Sequence, residues 1–315
     1  MKTMQFATTR NIACAAAVVL GAAACSSDNT PAVTPLSNTN APMVASSVTQ
    51  GMDFSLEALN HDGIDINGLL GGFGSPALGF ASSGGQPAGL FSLTGCPSFT
   101  PDPAPDADGD GVPDNTLYTF SADNCTFQGQ GGTLLITGSV RVSDPASVAI
   151  GFDVAVNQLS FSSTEAGATD PSFSVVIDGT RSLRGQPTSL TLDEDLGVTV
   201  RANGQDAGWS SQGSFNFTAA QGATIDFDLP LPDGTVDWNG TFSAQGPEGF
   251  FVLNVQTVQL LTYEAACIDP DSGDGSIVDG VLRVAAGSNE GAGIVQITFK
   301  GCGVEPDVVF IGATA

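Results

Sequence analysis

Val236-Asp237-Trp238-Asn239-Gly240-Thr241-Phe242-Ser243 carries Val236, Trp238 and Phe242 on one parity and Asp237, Asn239, Thr241 and Ser243 on the other. A period of two turns one row of side chains toward a core and the other toward water, the mark of an antiparallel strand with one solvated face. Phe215 and Phe217 alternate in the same way with Ser214, Asn216 and Thr218, as do Ile225, Phe227 and Leu229 with Asp226 and Asp228. Working outward from these segments, the alternation runs from about Thr116 to the end of the chain. It is punctuated by Asp144-Pro145, Asp178-Gly179, Asn203-Gly204, Asp233-Gly234, Gly246-Pro247, Asp279-Gly280 and Asn289-Glu290-Gly291, all read as turns. No helical stripe of comparable length competes with it. The expected fold is all-β, an antiparallel meander of about a dozen strands forming a curved sandwich or a barrel-like wrap.

Parity changes predict two bulges. Phe152, Val154 and Val156 lie on even positions and Leu159 and Phe161 on odd ones, so a bulge near Asn157-Gln158 is needed to keep one face inward. A second is expected between Phe251-Leu253-Val255 and Val258-Leu260. Two Tyr and two Trp in the whole chain are too few for the aromatic girdles of a transmembrane barrel, so the 19 Phe are expected in a core.

Ahead of the β body, Val48, Met52, Leu56 and Leu59 fall at roughly helical spacing and predict a short helix over 47–59. The stretch 51–95 is Gly-rich and apolar, with Leu69, Leu70, Phe73, Leu78, Phe80, Leu90 and Phe91, and is expected to pack on the β domain of 96–315. Residues 25–50, rich in Ser, Thr, Asn and Pro, read as a flexible tether, because such a segment buries too little surface to offset its ordering entropy.

Residues 1–24 have the form of an export signal: Lys2 and Arg10, then a run of apolar and small residues from Ile12 to Ala24, too short for a bilayer span. The run closes in Leu20-Gly21-Ala22-Ala23-Ala24-Cys25. Small residues leading to a Cys resemble the bacterial lipoprotein box, although Ala22 stands where that family prefers Leu. The resemblance implies acylation at Cys25, a membrane partner through that anchor, and a place in the bacterial cell envelope at the outer membrane. Ordinary cleavage after Ala24 is the alternative. With Cys14 lost and Cys25 acylated, Cys96, Cys125, Cys267 and Cys302 remain, and four thiols allow three pairings. Cys96–Cys125 and Cys267–Cys302 are expected, because each pair brackets an Asp/Gly-rich loop between predicted strands.

A formal charge of −25 excludes electrostatic nucleic-acid binding and adhesion to anionic headgroups, both of which need clustered cations. The acids have one conspicuous pattern, Asp106-Ala107-Asp108-Gly109-Asp110-Gly111-Val112-Pro113-Asp114. Carboxylates at alternate positions followed by glycine let several oxygens converge, as Ca²⁺ requires. Asp106, Asp108, Asp110, the Val112 carbonyl and Asp114 are the expected ligands. The segment resembles EF-hand calcium loops and, more closely, the DxDxDGxxD repeats of thrombospondin type 3 proteins, which implies a structural calcium site. Leu117 stands where an EF-hand has its bidentate Glu, so a sensor role is not carried over. A second cluster, Asp269-Pro270-Asp271-Ser272-Gly273-Asp274-Gly275, is spaced differently and reads as an acidic hairpin with a weaker claim to metal.

Catalysis is not expected. His61 is the sole His and sits in a turn-like Asn60-His61-Asp62-Gly63, and no GxSxG elbow is present. A glycosidase-like carboxylate pair would want aromatic platforms, for which Trp209 and Trp238 are the Trp candidates. Asp193-Glu194-Asp195 reads as a solvated turn, and Lys300 as a balance for local acid. The expected role is a lipid-anchored, calcium-stiffened envelope protein acting as a structural or interaction module with another envelope protein. The alternative is a carrier for a lipid or other apolar ligand within a curved sheet.

Overall fold

A computed structural model of the chain describes residues 32–60, 96–102, 104–107, 112–129, 132–145, 150–168, 170–202, 205–226, 229–246, 249–268, 275–286 and 293–312. The expected signal peptide, His61, most of the 51–95 segment, Asp108, Asp110 and the 269–274 cluster lie outside the described residues.

The first element among the described residues is a helix, α1 (Ala41–Asn60), longer than the 47–59 expected. Its start is fixed by a reciprocal cap: the Asn40 amide donates to Ser37 Oγ at 3.3 Å and the Ser37 amide donates to Asn40 Oδ1 at 2.8 Å. Two amides that a helix start leaves without partners are thereby satisfied. The tether reading of 25–50 is therefore corrected over 33–50: Leu36, Ala41, Val44, Ala45 and Val48 are all buried. Their apolar area outweighs a composition that otherwise suggests a linker.

Thirteen strands follow among the described residues: β1 (Ser98–Thr100), β2 (Thr116–Phe120), β3 (Thr126–Gly129), β4 (Gly132–Ser143), β5 (Ile150–Glu165), β6 (Phe173–Gln186), β7 (Ser189–Ala202), β8 (Gln205–Ala219), β9 (Gly234–Gly246), β10 (Gly249–Glu264), β11 (Ser276–Ala286), β12 (Ile294–Lys300) and β13 (Asp307–Ile311). They form one antiparallel sheet in the order β1-β2-β4-β5-β6-β7-β8-β9-β10-β11-β12-β13, with β3 added beside β4. The meander is all-β as expected, a single continuous sheet whose two edge strands, β1 and β13, are not paired to each other.

Alternation places the core. Val236, Trp238 and Phe242 of β9 and Phe215 and Phe217 of β8 are buried on one face. Ile225, Asp226 and Leu229 depart from the expected strand and belong to the connection between β8 and β9, Phe227 and Asp228 lying outside the described residues. There Ile225 is buried, its amide donating to the Pro187 carbonyl at 2.7 Å, while Leu229 is exposed.

The bulge at Asn157-Gln158 is present: the β5–β6 register shifts between Val156 and Leu159, and Gln158 has φ 48°. The facing glycine corrects a turn assignment. Asp178-Gly179 sits inside β6, where Gly179 has φ 133° and a Cβ would collide with the Asp195 carbonyl oxygen of β7. Asp279-Gly280 likewise lies inside β11, opposite the irregular part of β10, with Gly280 at φ 118°. Both Asp-Gly pairs signal positive φ inside a strand rather than a chain reversal: Gly280 approaches the Leu260 carbonyl in the irregular part of β10, and Gly179 approaches the Asp195 carbonyl of β7 while facing β5 beside its bulge.

The irregularity of β10 is longer than expected. Pairing with β9 breaks between Val252 and Leu261, and the inward row resumes at Leu261 and Tyr263, leaving Val258 and Leu260 exposed instead of inward. Thr257 Oγ1 bridges the break, accepting from the Trp238 amide at 2.8 Å and donating to the Trp238 carbonyl at 3.1 Å.

Helix α1 packs against β7, β8 and β9 and also against β12 and β13. In a flat sheet β7 and β13 would be about 29 Å apart at about 4.8 Å per strand, and a straight helix crossing that distance would lie over β10 and β11, which are not among its main packing partners. The sheet therefore curls around α1. Met52, Phe54, Ser55, Leu56, Ala58 and Leu59 are all buried, while Asp53 is exposed, so the second half of the helix is deeply but not completely enclosed.

The meander gathers its connections at two ends. At the first, the β5–β6, β7–β8, β9–β10 and β11–β12 connections cluster, and Val33 forms a parallel bridge with Phe250, the Thr34 amide donating to the Phe250 carbonyl at 2.7 Å. At the second lie the β4–β5, β6–β7, β8–β9, β10–β11 and β12–β13 connections and the loop that joins β1 to β2. These are called the Val33 end and the Asp114 end.

Candidate functional site

The expected calcium loop lies between β1 and β2, at the Asp114 end. Its neck is closed by main-chain geometry: the Asp114 amide donates to the Pro105 carbonyl at 2.8 Å, and Asp114 Oδ1 accepts from the Ala107 amide at 3.2 Å. A further bond from the Asp144 amide to the Asp114 carbonyl, 3.3 Å, ties the neck to the end of β4. Asp106 and Asp114 are thus held on the two limbs of one closed loop, Asp106 exposed and Asp114 half-buried. Val112 is half-buried with its side chain packed against the core, which anchors the returning limb. Next to it, Arg141 of β4 donates to Asn115 Oδ1 at 2.7 Å. Among the described residues no three His, Cys, Asp or Glu side chains are grouped as a metal centre. The structure thus brings the ends of the expected ligand set together, and its middle members, Asp108 and Asp110, lie outside the described residues.

Both expected disulfides are formed, Cys96–Cys125 with Cα atoms 5.2 Å apart and Cys267–Cys302 with Cα atoms 5.5 Å apart. The first fastens β1 and β3 at one edge of the sheet and encloses the Asp loop. The second joins the connection after β10 to the one after β12, near the other edge. Cys96, Cys125 and Cys267 are buried, whereas Cys302 is exposed. Lys300 pairs with Asp307 across the β12–β13 corner, the local balancing expected of it.

The most unusual chemistry in the described residues is internal, and sequence reasoning missed it. Arg181 of β6 and Glu194 of β7 are direct cross-strand partners. Their side chains are 1% and 0% exposed, with Nε 3.3 Å from Oε2. Ser55 of α1 donates to Glu194 Oε1 at 2.9 Å, and the Arg181 guanidinium lies 4.2 Å from the centroid of the Phe54 ring. This corrects the solvated-turn reading of Asp193-Glu194-Asp195: the triplet is mid-strand, with Asp193 and Asp195 outward and exposed and Glu194 inward. Parity carried the signal, since Glu194 shares it with Leu190, Leu192, Leu196 and Val198, and Arg181 shares it with Val175, Ile177 and Leu183. Opposite charges on the inward parity of successive strands mark a buried pair.

Trp238 is a core residue, and Trp209 is half-buried with its ring packed against the core. Trp238 is fully buried and stacks on Phe215 with ring centroids 4.7 Å apart. Trp209 packs edge-on against Phe54 of α1 at 5.1 Å and stacks near Phe242 at 5.9 Å. Together with α1 they occupy the concave face of the sheet.

The fold and its candidate site define a disulfide-stapled, curled antiparallel sheet with a helix in its concavity and an Asp loop at one end. No family model, curated protein or solved structure matches the chain.

Proposed function

We propose that this chain is a lipid-anchored protein of the bacterial cell envelope, held at the outer membrane through Cys25, whose Asp loop binds calcium structurally and which serves as a structural or interaction module. The observation that carries the reading is the pair of disulfides, taken with a sequence in which a leader-like stretch, 1–24, runs up to Cys25. Such bonds persist in oxidising compartments outside the cytosol. Each buried acyl methylene contributes about 0.8 kcal/mol, so several chains on Cys25 suffice to hold the domain at a membrane.

Calcium fits the donor chemistry of the loop. Its acids supply hard oxygens, and the bonds from the Asp114 amide to the Pro105 carbonyl and from the Ala107 amide to Asp114 Oδ1 set both limbs before any ion arrives. With no bidentate Glu at Leu117, affinity in the range of about 10⁻⁴–10⁻³ M is expected. When bound, the ion would be held by Asp106, Asp108, Asp110, the Val112 carbonyl and Asp114, and would offset their mutual repulsion.

The carrier alternative is disfavoured by α1, which takes up the concave face where an apolar ligand would sit. The test is fractionation of the full-length chain from a host that matures lipoproteins. The wild type should pellet with membranes and be released by detergent, and Cys25→Ala should move to the soluble fraction. A wild type that is soluble without detergent removes the anchor.

A further inference from the structure

We infer that the protein stands on the membrane with its Val33 end toward the bilayer and its Asp114 end, with the Asp loop, directed away. This rests on the proposed acylation of Cys25 and adds the direction in which the domain is presented. The argument begins with length. The chain is docked on the domain from Val33, through the bridge to Phe250 and the hydrogen bond from the Thr34 amide. Val33 lies eight residue steps after Cys25 in sequence. Fully extended, they reach about 28 Å at about 3.5 Å per residue. Strand β7 alone runs 14 residues from one end of the sheet to the other, about 46 Å at about 3.3 Å per residue. An anchor starting at the Val33 end therefore cannot pass the length of the sheet to let the Asp114 end face the lipid. The inverted orientation is excluded by reach alone.

Charge points the same way. Among the described residues, Asp106, Asp114, Asp144, Asp226, Asp233 and Glu305 lie in connections of the Asp114 end, against Glu165, Asp170 and Asp206 around the Val33 end. Asp206 is moreover paired with Arg201 across the β7–β8 hairpin, Nε to Oδ1 3.6 Å. An anionic headgroup layer repels the acidic end more strongly, and at an ionic strength of about 0.15 M that repulsion acts only within a Debye length of about 8 Å. Charge thus disfavours tilting the acidic end onto the lipid, while reach forbids inversion. The calcium loop is then presented to the aqueous compartment, where a partner would meet it.

The experiment uses the full-length, acylated protein in vesicles of phosphatidylethanolamine and phosphatidylglycerol that carry a nitroxide-labelled headgroup. Fluorophores are placed one at a time through Gln205→Cys and Thr188→Cys, exposed positions that flank β7 at its two ends. The expected result is strong quenching of the label at 205 and loss of little or no signal at 188. Equal quenching at both sites, or stronger quenching at 188, overturns the orientation while leaving the anchor intact. Absence of the acyl mass on Cys25 in the same preparation overturns the anchor and the orientation with it, so the two failures are told apart.

Discussion

Replacing Glu194 by Leu removes one half of an ion pair that has no access to water. Glu194 and Arg181 are 0% and 1% exposed, and the Glu194 carboxylate also accepts from Ser55 of α1 at 2.9 Å. A charge left without its partner in such a place typically costs about 3–5 kcal/mol, whereas replacing both partners by apolar groups of similar volume is often neutral. In Glu194→Leu the guanidinium keeps the face of the Phe54 ring at 4.2 Å and the Phe54 carbonyl at 3.5 Å, so the loss should sit near the lower bound, about 3 kcal/mol. In Arg181→Met the carboxylate keeps the Ser55 hydroxyl and loses its cation, for about 4 kcal/mol. The double variant should recover most of either loss. Arg184–Asp153 supplies the control: Nη2 to Oδ1 is shorter, 2.6 Å, but the side chains are 31% and 42% exposed. Asp153→Asn should cost less than about 1 kcal/mol, because burial rather than distance decides the magnitude. Urea unfolding followed by tryptophan fluorescence reads all four variants, with an unchanged m-value required for comparison. Single losses below about 1 kcal/mol, or losses that add in the double variant, would show that the pair is hydrated and that α1 does not seal it.

Other expectations follow from the same packing. Gly51→Val puts a Cβ 2.5 Å from Phe242 Cε2, and the overpacking should destabilise the domain by about 1–3 kcal/mol; Phe242→Leu in the same chain should restore part of it, read by thermal melting. Calcium at about 10 mM should add about 1.4–2.7 kcal/mol over a chelator control if the dissociation constant is about 10⁻³–10⁻⁴ M. That corresponds to a Tm rise of several degrees, and Asp106→Asn with Asp114→Asn should abolish it; a wild-type Tm indifferent to calcium removes the metal from the account. Cys302→Ser opens a bridge between residues 35 apart in sequence and should cost about 3–4 kcal/mol, measured by denaturant unfolding under non-reducing conditions.

Much of the sheet was legible because period-two alternation reports which face a side chain takes, whatever the strand order. The bulge at Asn157-Gln158 was legible for the same reason, as a parity slip that one extra residue repairs. Other features depend on partners distant in sequence. The interruption of β10 is bridged by Thr257 to the main chain of Trp238, a contact that the local pattern around Val258 and Leu260 does not carry. Asp178-Gly179 and Asp279-Gly280 announce positive φ, but only the neighbouring strand reveals whether a bulge or a turn requires it. Composition misled between 33 and 50. The polar residues that suggest a linker include the Ser37–Asn40 cap, and the apolar residues among them are spaced to meet the sheet. Of the candidate site, the loop neck and both disulfides were within reach of sequence reasoning. The Arg181–Glu194–Ser55 contact needed two strands and a helix brought together, although the inward parity of both charges was visible.

The most direct test of the proposed role is the mass of the N-terminal peptide of the protein extracted from host membranes. The account predicts a mature chain beginning at Cys25 and carrying the added mass of a diacylglyceryl thioether. A chain beginning with an unmodified Cys25, or one that retains Met1 through Ala24, would contradict it.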